Sequence, residues 1–225
     1  ARLDGIITAT PYIAQRFKRV HANTIDVNNF PLASEIEFLD QQAKPKDPFV
    51  CYIGGIWPSR GITELVDAME LSEVSLALAG KIEPEFRTLL SQSKGWSKVQ
   101  ELGFIDRQTS MQLKQQAIAG VVTFLPFPNH INAQPNKIFE YMAAGLPVIG
   151  SNFPLWKELI EGNECGLCVD PTQPSEIAAA INYLASHPEQ ALQMGANGKK
   201  MVKNTYNWTA EERKLQAFYQ KVLAS

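Results

Sequence analysis

The sequence predicts an α/β fold: a Rossmann-like parallel sheet with helices on both faces, followed by C-terminal helices. From residue 49 onward, short apolar segments alternate with segments of helical periodicity, which is the pattern of a parallel sheet. The apolar segments are nearly continuous, as expected of strands buried on both faces. Several helical segments begin with proline, which suits a first helical position because it lacks an N–H group.

Six strands and six helices are expected in this region. The strands are predicted at residues 49–53, 74–79, 99–102, 121–125, 147–149 and 166–169. The helices are predicted at residues 62–69, 84–93, 108–116, 135–144, 154–161 and 174–186. Two more helices should follow at 188–206 and 209–223, with Thr209 capping the second. Ligands of such sheets bind outside the carboxyl ends of the strands, so the loops there should carry the informative residues.

The first part of the chain is organised differently. We predict a strand at 3–9, a helix at 12–20 and a strand at 24–27. A polar segment rich in Lys and Pro follows, and we predict it to be a linker over 32–48. The chain does not begin with Met, and its first residues already resemble a strand. We therefore expect it to be a piece of a longer protein.

Composition excludes several classes of protein. Hydrophobic residues make up 45% and charged residues 20%, which are ordinary globular values. The net charge of −2 gives no electrostatic argument for nucleic acid as a partner. No apolar run is long enough to span a bilayer. Three cysteines without a disulfide framework indicate a reducing compartment, and we expect a cytoplasmic protein.

One pair of cysteines has the spacing of a redox or zinc motif. Cys165 and Cys168 are separated by two residues, but the segment leads into a strand rather than opening a helix. No second pair or suitably spaced His completes a zinc site. We interpret both as small, mostly buried residues and predict no metal site.

The most informative stretch runs from Pro135 to Ile149. Its apolar residues recur at helical spacing, Pro135 suits the first helical position, and Gly145 suits the left-handed residue that ends a helix. Lys137 and Glu140 then lie near the helix entrance. Helix N-termini favour phosphate, and a nearby carboxylate can accept hydrogen bonds from sugar hydroxyls.

The other strand-to-helix loops supply further candidates. Arg60 ends a loop that begins with Gly54 and Gly55, and it is either a bidentate phosphate ligand or a surface arginine on a tight turn. Two later loops place small, basic or apolar residues at strand ends: Gly80, Lys81, Gly103, Phe104 and Ile105. Phe104 could flank a base, although a core phenylalanine is the favoured interpretation of that residue alone. His130 is interpreted as a solvated loop residue, close to Asn132 and Gln134.

The order of these features resembles a known family. The chain resembles the C-terminal half of retaining GT-B glycosyltransferases of the family 4 type. The resemblance is carried by the Gly-Gly…Arg-Gly loop at 54–61, the strand ends at Gly80 and Gly103, and the segment Phe139-Glu140-Tyr141-Met142-Ala143 before Gly145. The resemblance covers about residue 49 to the C-terminus. It implies four parts: a remnant of the N-terminal acceptor domain at 1–31, the linker at 32–48, a donor-binding domain at 49–206 and a crossover helix at 207–225.

The resemblance also implies roles for individual residues. Glu140 matches the glutamate that holds the donor ribose, and Asn132 falls where the family has the glutamate that meets the donor hexose. The family's arginine in the first loop falls on Gly55 and its lysine on Arg60, so Arg60 with Lys137 would neutralise the diphosphate. Donor contacts are implied for the remaining residues of the loops and helix entrance: Gly54, Gly80, Lys81, Gly103, Phe104, Ile105, Pro135 and Asn136.

The implied activity is transfer of a sugar, with retention, from a UDP- or GDP-linked donor to a glycan or lipid-linked acceptor. The resemblance implies no cofactor or metal. It implies that the full-length protein includes the missing N-terminal domain and associates peripherally with the inner face of the membrane. Members of the family often act in the assembly of bacterial surface polysaccharides. This chain alone is expected to be inactive. A GT-B nucleotide-sugar epimerase and a non-catalytic nucleotide-sugar binding module remain as alternatives. A Rossmann dehydrogenase is disfavoured because the first loop lacks G-x-G-x-x-G.

Overall fold

The computed structural model describes residues 3–37 and 47–224. Its main sheet has six parallel strands in the order β5-β4-β3-β6-β7-β8, which confirms the predicted fold class. The strands are β3 (Phe49–Ile53), β4 (Ser75–Ala79), β5 (Val99–Gly103), β6 (Ala119–Val122), β7 (Val148–Ser151) and β8 (Gly166–Val169). Helices lie on both faces of this sheet.

The helices associated with the sheet follow the predicted order. They are α3 (Ile62–Leu71), α4 (Pro84–Leu90), α5 (Arg107–Gln116), α6 (Pro128–Ile131), α7 (Asn136–Ala143), α8 (Pro154–Ile160), α9 (Pro174–Ser186) and α10 (Pro188–Asn204). Short 3-10 helices span Pro58–Arg60 and Lys94–Lys98. The four-residue helix α6 and both 3-10 helices were not predicted, because segments this short leave no periodic pattern.

The N-terminal residues form a separate small unit. Strands β1 (Ile6–Thr8) and β2 (Thr24–Asp26) pair in parallel, and helix α1 (Pro11–Lys18) connects them. A short helix, α2 (Ala33–Glu37), lies within the predicted linker. Residues 38–46 of that linker lie outside the described residues.

The last helix, α11 (Trp208–Leu223), packs against this N-terminal unit. The buried Glu211 carboxylate accepts hydrogen bonds from the backbone N–H (2.7 Å) and side-chain amide (3.2 Å) of Asn28. Lys214 joins Glu211 at 2.8 Å and Asp26 at 2.9 Å. The predicted Thr209 cap is wrong: Asn207 caps the helix, because its side-chain oxygen accepts from the Ala210 N–H.

Strand β6 is displaced from its prediction at 121–125. It begins at Ala119 and includes Gly120, where a Cβ atom would overlap the Tyr141 ring of α7. Small residues are poor strand formers in isolation, but here they let α7 approach the sheet closely. The chain leaves the sheet after Val122, and the Leu125 N–H donates to the Ser59 carbonyl at 3.1 Å.

Helix α7 begins one residue later than predicted. Pro135 is its N-cap rather than its first helical residue, and Asn136 opens the first turn. Its C-terminus is as expected: Gly145 has a φ of 71°. The Leu146 N–H donates to the Tyr141 carbonyl and the Gly145 N–H to the Met142 carbonyl, which is a Schellman motif.

The strand order places a ligand crevice between β3 and β6. From β3 the chain continues to one side through β4 and β5, then returns to the other side through β6, β7 and β8. This is a topological switch point, where the loops after neighbouring strands diverge and leave a cleft at the carboxyl ends. Among the described residues, no helix is both long and apolar enough to cross a membrane.

Candidate functional site

A cavity of about 540 Å³ lies at the switch point, at the carboxyl ends of β3 and β6. Three chain segments contribute to its wall: the loop after β3, the loop after β6 and the first turns of α7. The lining residues are Ile53, Gly54, Arg60, Phe124, Asn129, His130, Ala133, Gln134, Pro135, Asn136, Lys137 and Glu140.

The N-terminus of α7 faces this cavity. The backbone N–H groups of Asn136 and Lys137 belong to the first turn, so they have no partner within the helix. They form no hydrogen bond to other described residues either. Together with the helix dipole they present partial positive charge where Asn136 and Lys137 line the cavity.

Lys137 adds a full positive charge at the same place. Its ammonium nitrogen lies 5.4 Å from the centroid of the Tyr52 ring. Burial lowers the pKa of Lys137; Glu140 opposes this shift and Arg60 reinforces it. An anion in the cavity would favour the charged form and relieve the cost of burying it.

The loop after β3 is fixed by two tyrosine hydroxyl groups. Tyr52 donates from its hydroxyl to the Gly55 carbonyl at 2.7 Å, and the Ile53 N–H donates to the Tyr141 hydroxyl at 3.0 Å. Gly54 has a φ of 137°, which side-chain-bearing residues rarely adopt. The loop is thereby held close against Lys137.

Arg60 enters the cavity from the 3-10 helix Pro58–Arg60. Its guanidinium carbon lies 4.0 Å above the centroid of the Phe124 ring, in cation–π geometry. Stacking fixes the plane of the guanidinium and leaves its edge N–H groups available to an anion. Arg60 is therefore not simply a surface arginine on a turn.

Glu140 is the carboxylate among the described residues that line the cavity. It lies on the second turn of α7, where the side chain is 45% exposed. Lys114 of α5 reaches its Oε2 atom at 3.6 Å and is itself only 12% exposed. The lysine neutralises the carboxylate, while the remaining lone pairs of Glu140 can accept from ligand hydroxyl groups.

Some predicted site residues do not line the cavity. These are Gly55, Gly80, Lys81, Gly103, Phe104, Ile105 and Asn132. Gly80 and Gly103 nevertheless adjoin it, because the Gly54 N–H donates to the Ala79 carbonyl and the Gly80 N–H to the Gly103 carbonyl, both at 2.8 Å. The preferred interpretation of Phe104 as a core residue is wrong, since 87% of it is exposed.

The interpretation of His130 as a solvated residue is also wrong. It is only 6% exposed and lies between the rings of Phe124 and Phe127, with Nδ1 hydrogen-bonded to the Leu125 carbonyl at 3.0 Å. Pro126 and Pro128 restrict the backbone on both sides of Phe127, whose ring contacts the buried imidazole. Tyr52 and Phe124 were not identified as site residues, because their roles depend on contacts across the sheet.

The Cys-x-x-Cys segment is not a redox pair. Cys165 is buried, Cys168 is half-buried and both are free thiols. Burial raises the pKa of each thiol to about 12, so both are protonated and unreactive at neutral pH. The interpretation of these residues as small, mostly buried side chains is confirmed.

Solved structures share this fold. A glycosyltransferase from Rickettsia africae superposes with a TM-score of 0.81 at 16% identity, covering 97% of this chain and 63% of that one. HepE from Anabaena, solved in complex with UDP, superposes with a TM-score of 0.77 at 18% identity, covering 97% and 64%. Both likenesses are evidence for the fold.

Sequence comparisons identify the family. The D-rhamnosyltransferase WbpZ of Pseudomonas aeruginosa is 27% identical over 211 residues, covering 88% of this chain and 54% of that protein. An uncharacterized glycosyltransferase of Methanocaldococcus jannaschii is 28% identical over 168 residues, covering 72% and 42%. The chain thus spans about half the length of these relatives. The family profile described as "Glycosyl transferases group 1" matches residues 34–201, which is most of the chain, and the chain therefore belongs to this glycosyltransferase family.

Proposed function

We propose that this chain is the donor-binding part of a retaining GT-B glycosyltransferase of the family 4 type, and that it binds a nucleoside-diphosphate sugar. One observation carries the proposal. Two cations, Arg60 and Lys137, line the same switch-point cavity as the helix entrance of α7 and the carboxylate of Glu140. These are complementary to the diphosphate and the ribose of such a donor.

The chemical demand of sugar transfer matches these residues. As the bond between the sugar and the diphosphate breaks, negative charge develops on the leaving group. Arg60, Lys137 and the free N–H groups at the α7 entrance stabilise that charge without having to move far. Glu140 accepts hydrogen bonds from the ribose hydroxyl groups, and Lys114 keeps its carboxylate in place.

The absence of an arginine at position 55 is compensated by a lysine from α7. Gly54 has no side chain and so leaves room for the Lys137 side chain beside it. The Tyr52 hydroxyl holds this loop in place by donating to the Gly55 carbonyl. Lys137 thus supplies the second positive charge beside Arg60. We propose Asn132, at the family position for the hexose contact, as a supporting residue behind the cavity wall.

The remaining parts of the proposal concern the whole protein. The donor we propose is UDP- or GDP-linked. A structural neighbour solved with UDP supports the first choice, and a relative named as a rhamnosyltransferase supports a hexosyl group. We assign the acceptor, a glycan or lipid-linked sugar, to an N-terminal domain of which residues 1–31 are the last part. The contacts of α11 with Asp26 of β2 and with the following Asn28 support its assignment as the crossover helix.

The full-length protein tests this proposal. Release of nucleoside diphosphate is measured with UDP- and GDP-sugars and glycan or lipid-linked acceptors, and the anomeric configuration of the product is read by NMR. Arg60→Ala and Glu140→Ala should each reduce kcat/KM at least about tenfold, the loss expected for one charge-assisted hydrogen bond. Lys200→Ala, on the exposed face of α10, serves as the control. Inversion of configuration, or unchanged rates in both site variants, would contradict the proposal.

A non-catalytic binding module is the second candidate. The glycine at position 55 and the amide at position 132 favour it, because both depart from the charged residues of the family. The same assay separates the two: the binding module predicts donor binding without turnover by the full-length protein.

A further inference from the structure

Three side-chain amides line the donor cavity together with the two cations. They belong to Asn129, Gln134 and Asn136. Glu140 is the one carboxylate among the described residues that line it, and the proposed function assigns Glu140 to the ribose. Amides are uncharged and can both donate and accept, so they suit the hydroxyl groups of a neutral sugar.

Gln134 is the amide with an unused acceptor. Its Oε1 atom is buried and has no hydrogen-bond partner among the described residues. A buried acceptor without a donor is unfavourable, and such groups in folded proteins call for a specific explanation. Rotation of the terminal amide toward a ligand hydroxyl in the cavity would supply the missing donor.

The backbone on both sides of Gln134 is fixed. The Ala133 carbonyl accepts from Trp156 Nε1 at 2.8 Å, and the Ala133 N–H donates to the His130 carbonyl at 3.0 Å. On the other side, Pro135 caps α7 and its carbonyl accepts from the Ile138 N–H at 3.1 Å. The side chain of Gln134 therefore has a defined starting point from which only its own torsions need to change.

We propose that Gln134 contacts the donor's sugar, and that it accepts a hydrogen bond from a hydroxyl group of a neutral hexosyl unit. The inference rests on the proposed function and moves the sugar contact away from Asn132, which does not line the cavity. Arg60 and Lys137 hold the diphosphate, while Gln134 distinguishes the sugar nucleotide from the bare nucleotide.

The test compares each sugar nucleotide with its parent nucleotide. Calorimetric titration of the chain with UDP, UDP-glucose, GDP and GDP-mannose gives, for each base, the ratio of the two dissociation constants. We expect the wild-type chain to bind one sugar nucleotide more tightly than its parent. Gln134→Leu should cut this gain about two- to tenfold, the value of one hydrogen bond, with the affinity for the parent nucleotide unchanged.

Two further variants sharpen the test. Gln134→Glu keeps a hydrogen-bond acceptor at the same position. Its negative charge should weaken the binding of nucleotide and sugar nucleotide equally, so the ratio of their dissociation constants should stay at the wild-type value. Gln220→Leu, on the exposed face of α11, is the matched control for the change of residue type.

The outcomes separate this inference from the proposed function. An unchanged ratio in Gln134→Leu, a larger loss of ratio in Asn132→Leu, or equal wild-type affinities for sugar nucleotide and parent would overturn the role of Gln134 alone. A wild-type chain that binds none of the four ligands would overturn both.

Discussion

The ammonium group of Lys137 lies directly against the backbone of Gly54. A Cβ atom at position 54 would overlap both the Nζ and Cε atoms of the lysine. A glycine at position 54 therefore lets the end of the Lys137 side chain lie against the loop after β3, and any larger residue would displace it. This contact joins the two segments to which we assign the diphosphate.

Substitution of Gly54 should impair both folding and binding. Gly54→Ala forces a side chain onto a backbone with φ of 137° and displaces Lys137. We expect a loss of about 1–3 kcal/mol in the free energy of unfolding from backbone strain, measured by urea denaturation. The affinity for UDP or GDP should fall about tenfold as the ammonium moves away.

Gly103→Ala is the reference for stability. Gly103 also has a positive φ, but its value of 64° lies in the left-handed helical region, and a Cβ atom there would meet nothing within 4 Å. Alanine adopts that region at less cost than a φ of 137°, so Gly103→Ala should lose less stability than Gly54→Ala. Equal losses of stability would contradict the strain expected at Gly54, and unchanged nucleotide affinity in Gly54→Ala would contradict the importance of the Lys137 contact.

Lys137 should be a destabilising residue in the absence of an anion. Burial lowers the pKa of Lys137 in the folded protein below 10.5, the value in the unfolded chain. At a pH between these two values the folded protein binds fewer protons than the unfolded chain, so its stability rises with pH. The cost of the buried charge is thus fully present at neutral pH and disappears at high pH. Lys137→Met should raise the free energy of unfolding at pH 7, and this gain should shrink as the pH approaches 10.

The same variant should bind nucleoside diphosphate more weakly. Lys200→Met, on the exposed face of α10, provides the control for removing one lysine charge. A stability gain that is equal in both variants, or independent of pH, would show that the burial of Lys137 is not its cause.

Tyr52 should act by positioning the loop. Tyr52→Phe removes the hydroxyl that donates to the Gly55 carbonyl but keeps the ring beneath Lys137. The expected cost is about 0.5–1.5 kcal/mol in the free energy of unfolding, the net value of one hydrogen bond. Nucleotide affinity should fall with it. Wild-type affinity in a destabilised variant would show that the loop keeps its conformation without this bond.

Lys214 should stabilise the packing of α11 on the N-terminal strands. Burial raises the pKa of Asp26, but hydrogen bonds from Lys214 and Asn28 outweigh it and leave the pKa lowered. The contribution of Asp26 is therefore present above its unfolded pKa and is lost as pH falls below it. Lys214→Met leaves the buried Glu211 with fewer partners and should cost about 1–3 kcal/mol near pH 7 in urea denaturation.

The cost of Lys214→Met should diminish as the pH falls below 3.8, the unfolded pKa of Asp26, and through its lower pKa in the folded protein. Lys221→Met is the control, since among the described residues the Lys221 ammonium group donates only to the exposed Asn23 side chain. A cost that persists unchanged at pH 3 would indicate lost packing rather than lost ion pairs.

Much of the sheet could be predicted because its strands are continuous apolar runs. Both β3 and β8 have the predicted boundaries. Pro48 and Gly54 flank the apolar run of β3, and Pro171 lies just beyond the run of β8. The start of β6 was missed by two residues, because Gly120 is a poor strand former whose place in the sheet goes with the close approach of the Tyr141 ring. Long-range packing of this kind leaves no local pattern.

The site was predictable where a residue follows a strand or opens a helix. Arg60, Lys137 and Glu140 were identified in this way, and all three line one cavity. The aromatic residues beneath the two cations, Tyr52 and Phe124, were missed because their neighbours come from distant parts of the chain. The unpaired acceptor of Gln134 is likewise visible only once the surrounding atoms are known.

The central claim is that Arg60, Lys137 and Glu140 form one donor site, and calorimetric titration with UDP and GDP tests it most directly. We expect the wild-type chain to bind at least one of them, with affinity about ten- to hundredfold lower in Arg60→Met and in Glu140→Gln, the range for a hydrogen bond to a charged group. Lys200→Met should bind as the wild type does. Nucleotide binding that is unaffected by both site substitutions would contradict the account.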